Sequence, residues 1–344
     1  MFNLILDKLR YEKIHHQDDQ ITISSTFNNI FFKRGANEIK IVLPINVKEK
    51  CLGFFRITRR LFRLDMCNVF KSENQLVIIR GGWVYNYDLT LHKLTKTLQL
   101  KQCRNILHQS ISKVPNGDLY FGEYGMNPNR NEVNVYRSQD NGKTWHIIYT
   151  FPKGSIRHVH GCYYDKYSES IFTLTGDFKG ENLIQISDLE FRKNKVLGDG
   201  SQSYRAVNLF FTETEIHWIM DSPIEKSYQY KYDRNSGKIS KLNFFKGPVW
   251  YLKSLEDGYF LAGSSVEIGN GVLSDKACLY VSKDLINWEV LKEFKKDFWP
   301  MPYFKWGVLA FSDGRQTSKN FTLHFEGLKK VDGKSFMCSI EKKV

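Results

Sequence analysis

His158 and His160 stand two residues apart in the stretch Ile156–Asp165, "IRHVHGCYYD", whose β-type composition puts both imidazoles on one side of a strand. Two imidazoles so placed can share a metal ion, divide acid and base work, or grip a polar ligand. Carboxylates follow at comparable points downstream. Asp177 closes "LTGD", Asp221 opens the turn "DSP", and Glu123 with Tyr124 begins the long loop "GEYGMNPNR". Glu267 sits in another long loop, "GSSVEIGNG". Such loops in compact folds tend to carry function. Arg205, with Gln202 and Tyr204 in "GSQSYRAV", offers a guanidinium for a bidentate contact with a carboxylate.

These residues belong to two series. The first, at the start of successive strands, runs Arg59 (or Arg60), His108, His158 with His160, Arg205, Trp250 and Trp299, in steps of about 45–50 residues. The second, where the following strand ends, runs Arg80, Glu123–Tyr124, Asp177, Asp221, Glu267 and Asp313. A purely structural repeat would place small or apolar residues at many of these positions. His, Arg, Asp, Glu and Trp at nearly all of them point to a ligand site on one rim.

The elements that must hold these residues are strands. From about residue 20, short alternating runs such as "QLVIIRGG", "GDLYFGEY", "SIFTLTGD" and "ACLYVSKD" are punctuated by Gly, Asn and Asp turns. They group in fours: 106–151, 156–196, 203–244 and 247–294, a fifth group from about 298, and a weaker one over about 52–98. Four-stranded units at this period predict an all-β fold, a β-propeller of six or seven blades. The strands at 21–43 are expected to close the ring by completing the last blade. The chain is read as a single domain over 1–344, with 1–20 as an N-terminal extension and blades over about 21–341.

The eight residues Ser138–Trp145, "SQDNGKTW", match the Asp-box S-x-D-x-G-x-T-W at Ser138, Asp140, Gly142, Thr144 and Trp145. "VSKDLINW" keeps Ser282, Asp284 and Trp288, and "ISDLEF" keeps Ser187 and Asp188. The chain thus resembles the BNR-repeat propellers of the sialidase-like superfamily. The resemblance implies that each box joins the third and fourth strands of a blade, on the face opposite the ligand site. Asp and Gly suit such a turn: the carboxylate accepts backbone N–H groups and glycine supplies a positive φ. "FFRITRR" is similar to the F/Y-R-I-P motif of that superfamily, with Thr58 in place of proline, which makes Arg56 a further candidate for binding a substrate carboxylate.

Composition narrows the function classes. Apolar residues make up 42% of the 344, enough for a large core, and the formal net charge is +13. That charge makes polyanions plausible partners. No nucleic-acid motif or basic helix accompanies it, so an acidic oligo- or polysaccharide is the expected partner and nucleic acid is not. The six cysteines have neither disulfide-framework nor metal-type spacing. No secretory signal or membrane span is read, so the cytoplasm is the expected compartment, with export by another route left open.

Three functions fit. A glycosidase would use Glu123, Tyr124, Asp177, Asp221 and Glu267 as acids and nucleophiles, with Arg59, Arg80 and Arg205 on an acidic sugar and Trp250 and Trp299 stacked on its rings. A polysaccharide lyase would neutralise a uronate with Arg205 and move protons with His108, His158, His160 or Tyr204. It resembles propeller lyases that hold Mn²⁺ through His and Gln, so His108, His158, His160 and Gln202 form a candidate set for Mn or Ca. No other cofactor is expected. A non-catalytic propeller would use the same arginines and aromatics to bind.

Overall fold

A computed structural model describes residues 2–9 and 13–342. Among them the strands form seven four-stranded antiparallel sheets, the architecture of a seven-bladed β-propeller. The chain divides into two compact units, Asn68–Phe244, and Met1–Cys67 with Phe245–Val344. Blades 2 to 5 belong to the first of these. Blade 2 comprises Asn68–Ser72, Gln75–Arg80, Trp83–Asp88 and Lys93–Gln99. Blade 3 comprises Ser112–Lys113, Leu119–Gly122, Val133–Ser138 and His146–Phe151. Blade 4 comprises His158–Asp165, Ser170–Gly176, Asn182–Ser187 and Asn194–Gly200, and blade 5 Phe210–Phe211, Glu215–Ile219, Ser227–Asp233 and Ile239–Phe245.

Burial within blade 2 is greatest on the second strand and least on the fourth. In blade 2 every residue of Gln75–Arg80 is buried, whereas Lys93–Gln99 has none buried. A continuous apolar run suits a strand covered on both faces, and an alternating one suits a strand with a wet face.

In the second unit, blade 1 comprises Lys13–Gln17, Ile21–Thr26, Asn29–Arg34 and Asn37–Val42, and blade 6 Val249–Ser254, Phe260–Ser264, Lys276–Ser282 and Trp288–Lys295. Blade 7 comprises Val308–Phe311, Phe321–Glu326 and Lys334–Lys342, completed by Phe2–Lys8. The closing strand is therefore Phe2–Lys8 and not 21–43, and residues within 1–20 are blade strands rather than an extension. Phe2–Lys8 pairs antiparallel with Lys334–Lys342, with Leu4 opposite Ile340. Phe2, Leu4 and Leu6, at period two, pack on the core that contains Leu309, Phe321 and Cys338.

The weak group at 52–98 also differs from expectation. Residues Val47–Leu52 and Arg56–Leu61 are short helices (α1 and α2), and a third, Met301–Phe304 (α3), follows Trp299. Asn46 caps α1 by accepting from Glu49 N at 2.8 Å, and Glu49 reaches back to the Asn46 N–H, a capping box. Arg59 therefore lies on a helix, not at the start of an innermost strand.

The "SQDNGKTW" turn joins the third and fourth strands of blade 3, as its spacing predicts. Asp140 accepts from Ser138 Oγ, Thr144 N and Thr144 Oγ1 at 2.8, 2.9 and 2.6 Å. Asn141 then ties the turn to blade 2: it accepts from Ser72 Oγ at 2.6 Å and from Asn86 Nδ2 at 3.1 Å. Gly142 has φ +85°, and a Cβ there would lie 2.3 Å from Val77 Cγ2. Asp284 repeats the arrangement in blade 6, accepting from Ile286 N and Asn287 N, which hold its carboxyl down at about 2. We expect Gly142→Ala to lower unfolding free energy by about 1–3 kcal/mol, through positive φ and overpacking together. Urea denaturation followed by far-ultraviolet circular dichroism measures it.

Candidate functional site

Blade 4 supplies the centre of the site. Its first strand begins at His158, opposite Gly176, and the register shifts between Val159 and Gly161, so His160 is the extra residue of a bulge. A bulge re-aims a side chain out of the regular alternation. Gly176 makes room for it, since a Cβ there would lie 2.5 Å from His160 Cε1. The imidazoles end with ring centroids 5.0 Å apart. Asp177, the residue after the second strand, meets them both.

Arg205 arrives from the following turn, the single 3₁₀ turn Gln202–Tyr204. Gln202 donates through Nε2 to Asp177 O at 2.9 Å and accepts from Ser222 Oγ at 2.7 Å. That bond fixes the turn against the end of blade 4's second strand. Arg205 also donates to Asp177 O, at 3.1 Å.

The result is one carboxylate among four nitrogen-bearing side chains. Asp177 Oδ1 lies 3.0 Å from Arg205 Nη2, 3.1 Å from His160 Nε2 and 3.4 Å from His158 Nε2. Its Oδ2 accepts from Arg157 Nη1 at 2.8 Å. Burial by itself would raise the Asp177 pKa. The contacts from His158 and His160 and the charge of Arg205 outweigh it and hold the carboxyl well below the usual range. Burial pushes the His160 pKa down, against the opposing pull of Asp177. Asp221 lies 3.4 Å from Arg205 Nε through its Oδ2.

The far nitrogen of each imidazole is spent on backbone. His158 Nδ1 is 2.7 Å from Gly125 O, and His160 Nδ1 is 2.7 Å from Ala206 O. Tyr124 covers His158, with ring centroids 4.2 Å apart. On the wet side, Arg157 donates to Met126 O at 3.0 Å, and its guanidinium and that of Arg130 lie 5.5 and 5.2 Å from the half-exposed Phe178 ring. Arg130 is paired with Glu181 at 2.6 Å.

Among residues singled out by sequence, His158, His160, Asp177, Arg205, Asp221, Gln202 and Tyr124 come together. Glu123 is adjacent but turned to structural use: it is 2% exposed and accepts from Asn134 N and Tyr136 Oη at 3.0 and 3.2 Å. Burial raises its pKa. Tyr204 stacks on Trp218, and His108 and Arg80 are both buried within the same unit. Arg157, Phe178 and Arg130 were missed. Arg157 was hidden because it lies just before the strand start, and the adjacent His158 and His160 filled that position of the series.

In the other unit, Trp250 Nε1 donates to Glu267 Oε1 at 2.8 Å, and Ser265 Oγ donates to the same oxygen at 2.7 Å. Trp299 packs between Phe298 and Phe304. Arg59 is buried near Asp65. Arg56, the residue of the F/Y-R-I-P-like stretch, opens α2 and pairs with Asp65 at 2.7 Å and with Asp332 at 3.5 Å. Its guanidinium is committed to acids of its own unit.

No family model matches the chain, and no curated protein matches it. Solved structures do. The extracellular domain of a putative one component system from B. thetaiotaomicron aligns over 98% of the chain at TM-score 0.58 and 12% identity. The chain spans 40% of the length of that protein. The AfRom2 CNH domain aligns over 99% of the chain and 100% of its own length, at TM-score 0.58 and 8% identity. The tricorn protease aligns over 97% of the chain and 36% of its own length, at TM-score 0.53 and 12% identity. These likenesses show the fold alone. Among the described residues no helix is long and apolar enough to cross a membrane.

Proposed function

We propose that this propeller takes an acidic glycan at the Arg157–His158–His160–Arg205 cluster and acts on it by β-elimination. The observation that supports this most is the gathering of four nitrogen-bearing side chains on Asp177, with the fixed positive charge of Arg157 and Arg205. Two guanidinium groups and two imidazoles share one carboxylate, with Phe178 exposed beside Arg157. A uronate carboxylate pairs beside Asp177 with Arg157, which lies nearest the surface, and its ring stacks on Phe178. Neutralising that carboxylate acidifies the neighbouring carbon–hydrogen bond, and Tyr124, stacked on His158, is the group we assign to proton transfer.

Elimination is preferred to hydrolysis for a specific reason. A glycosidase needs one carboxyl able to donate a proton and a second free to attack or activate water. Asp177 is ion-paired to arginine with its pKa held low, Asp221 lies beside Arg205, and Glu123 is bonded away in blade 3.

The experiment is incubation with polygalacturonate, alginate and neutral dextran. Growth of ultraviolet absorbance from an unsaturated uronate on the acidic polymers alone supports the reading. New reducing ends without that absorbance would replace elimination by hydrolysis, and binding without product would make the protein a glycan-binding module. Absence of binding to every acidic polymer would refute the reading altogether. Arg157→Ala is expected to weaken binding about 10–100-fold, by loss of a charge-assisted contact, while leaving the fold intact. Calorimetric titration measures it.

A further inference from the structure

We infer that His158 Nε2, His160 Nε2 and the Asp177 carboxylate form a binding site for a divalent transition-metal ion. Their donor atoms all lie within 4.8 Å of one another. The inference stands apart from the glycan reading, because it rests on tautomers and burial and is tested without any glycan.

The tautomers come first. A backbone carbonyl only accepts, so His158 Nδ1, 2.7 Å from Gly125 O, and His160 Nδ1, 2.7 Å from Ala206 O, both carry hydrogen. With Nδ1 so engaged, each Nε2 donates to Asp177 when its ring is charged and presents a bare lone pair when its ring is neutral. Both Nε2 atoms face the same carboxylate oxygen, at 3.4 and 3.1 Å. Three atoms able to act as ligands thus converge on one point, where a cation fits in place of the proton that otherwise joins His160 Nε2 to Asp177 Oδ1.

The second observation is independent. His158 is 2% exposed, yet its Nε2 has no hydrogen-bond partner. A buried polar atom left unmade costs about 1–3 kcal/mol, and native structures rarely keep one without a use. Metal-binding histidines characteristically donate their other ring N–H to a carbonyl or carboxylate, which fixes ring orientation. Both imidazoles do so here.

The donor set also selects the ion. Two imidazoles and one carboxylate suit Mn, Fe, Co, Ni or Zn, whereas Ca²⁺ prefers an all-oxygen shell of six to eight ligands. Calcium is therefore not the expected ion, and Asp177, not Gln202, completes the set, since the Gln202 amide is bonded at both ends. Arg205 shares Oδ1 with the ion and keeps its bond to Asp177 O and its approach to Asp221. Arg157 and Arg205 balance Asp177 and Asp221 in charge, so a bound divalent ion leaves the site positive. Three protein ligands leave coordination positions open, and an anionic ligand fits both conditions.

The test is titration of the full chain with Co²⁺, after removal of metal by chelator and dialysis, read by visible ligand-field bands and by calorimetry. A single saturable equivalent with nitrogen–oxygen bands and no thiolate charge-transfer band is expected. His160→Ala should weaken that binding by about 100-fold or more. Asp177→Asn should weaken it as well, with circular dichroism reporting that each variant is folded. Failure of folded wild-type protein to bind Co²⁺ at micromolar concentrations would overturn the assignment. So would a thiolate band, which would put the ion on a cysteine, or retention of full affinity in the folded His160→Ala variant.

Discussion

Asp177→Ala is expected to lower the unfolding free energy of the chelated protein by about 3–5 kcal/mol, the cost of removing one partner from a buried ion pair. The substitution leaves the Arg157 and Arg205 guanidinium groups, 2.8 and 3.0 Å from the missing oxygens, without their shared counter-charge. It also empties the position that two imidazoles face. Arg157 can turn to water, being near the surface, but Arg205 is 7% exposed and has little room to do so. Asp177→Asn keeps an acceptor for Arg205 and loses only the charge, so it should fall between wild type and alanine. Urea midpoints at neutral pH in excess chelator give the order. Equal stability of all three proteins would mean that the cluster carries no net ion-pair energy.

The same carboxylate sets an acid dependence. Its folded pKa lies well below that of the unfolded chain, so its contribution is complete above the unfolded value of about 4. That contribution disappears as pH falls from there through the folded pKa. His160 works in a higher window. Because burial depresses its folded pKa, the unfolded chain takes up a proton first, and stability declines as pH drops below about 6.5. Wild type should therefore lose stability in two stages on acidification. Asp177→Asn should shrink the lower stage, to which Asp284 still contributes, and chemical denaturation across the acid range detects the difference.

Much of the scaffold could be read along the chain because alternating runs between Gly, Asn and Asp turns recur in fours at a near-constant period. The strands expected at 170–176 and 182–187 match Ser170–Gly176 and Asn182–Ser187, and the "SQDNGKTW" turn lies between a third and a fourth strand, where it was expected. The misreadings have separate causes. Phe2–Lys8 is short and flanked by charge, and its partner lies more than three hundred residues away, where no local pattern points. The helices within 47–61 carry a capping-box signature in Asn46 and Glu49, but at six residues each they are too short for a 3.6-residue apolar period to show. At the site, spacing selected His158, Asp177 and Arg205 correctly as neighbours but gave no account of what each would touch. That Glu267 is held by Trp250, or Glu123 by Tyr136, depends on side-chain directions that a period of 45–50 residues does not encode. The bulge at His160 is of the same kind: sequence spacing put the two histidines on one side, and the irregular register is what brings them to one oxygen.

Trp218→Ala is expected to cost about 3–5 kcal/mol of stability and, unlike an ordinary core truncation, to disable the cluster as well. Trp218 is fully buried in the core shared by Phe172 and Leu174 of blade 4 and Ile216 of blade 5. Its ring stacks between Tyr204 and Tyr230, with centroids 6.0 and 5.7 Å away. Its Nε1 donates to Ser203 O at 2.7 Å, inside the turn that delivers Arg205. One side chain thus supports the strand ending at Asp177 and the turn before Arg205, so their 3.0 Å contact depends on it. Trp218→Phe keeps much of the stacking surface but strands the Ser203 carbonyl, and should cost about 1–3 kcal/mol. Buried Trp residues elsewhere in a blade would lower stability and leave affinity per folded molecule unchanged. Here, urea denaturation and Co²⁺ titration on the same folded Trp218→Phe sample should both move, the second because a slackened turn lets Arg205 and Asp177 drift apart. A normal cobalt titration beside a lowered urea midpoint would show that the turn holds its place without the indole, and that Trp218 is a core residue and nothing more.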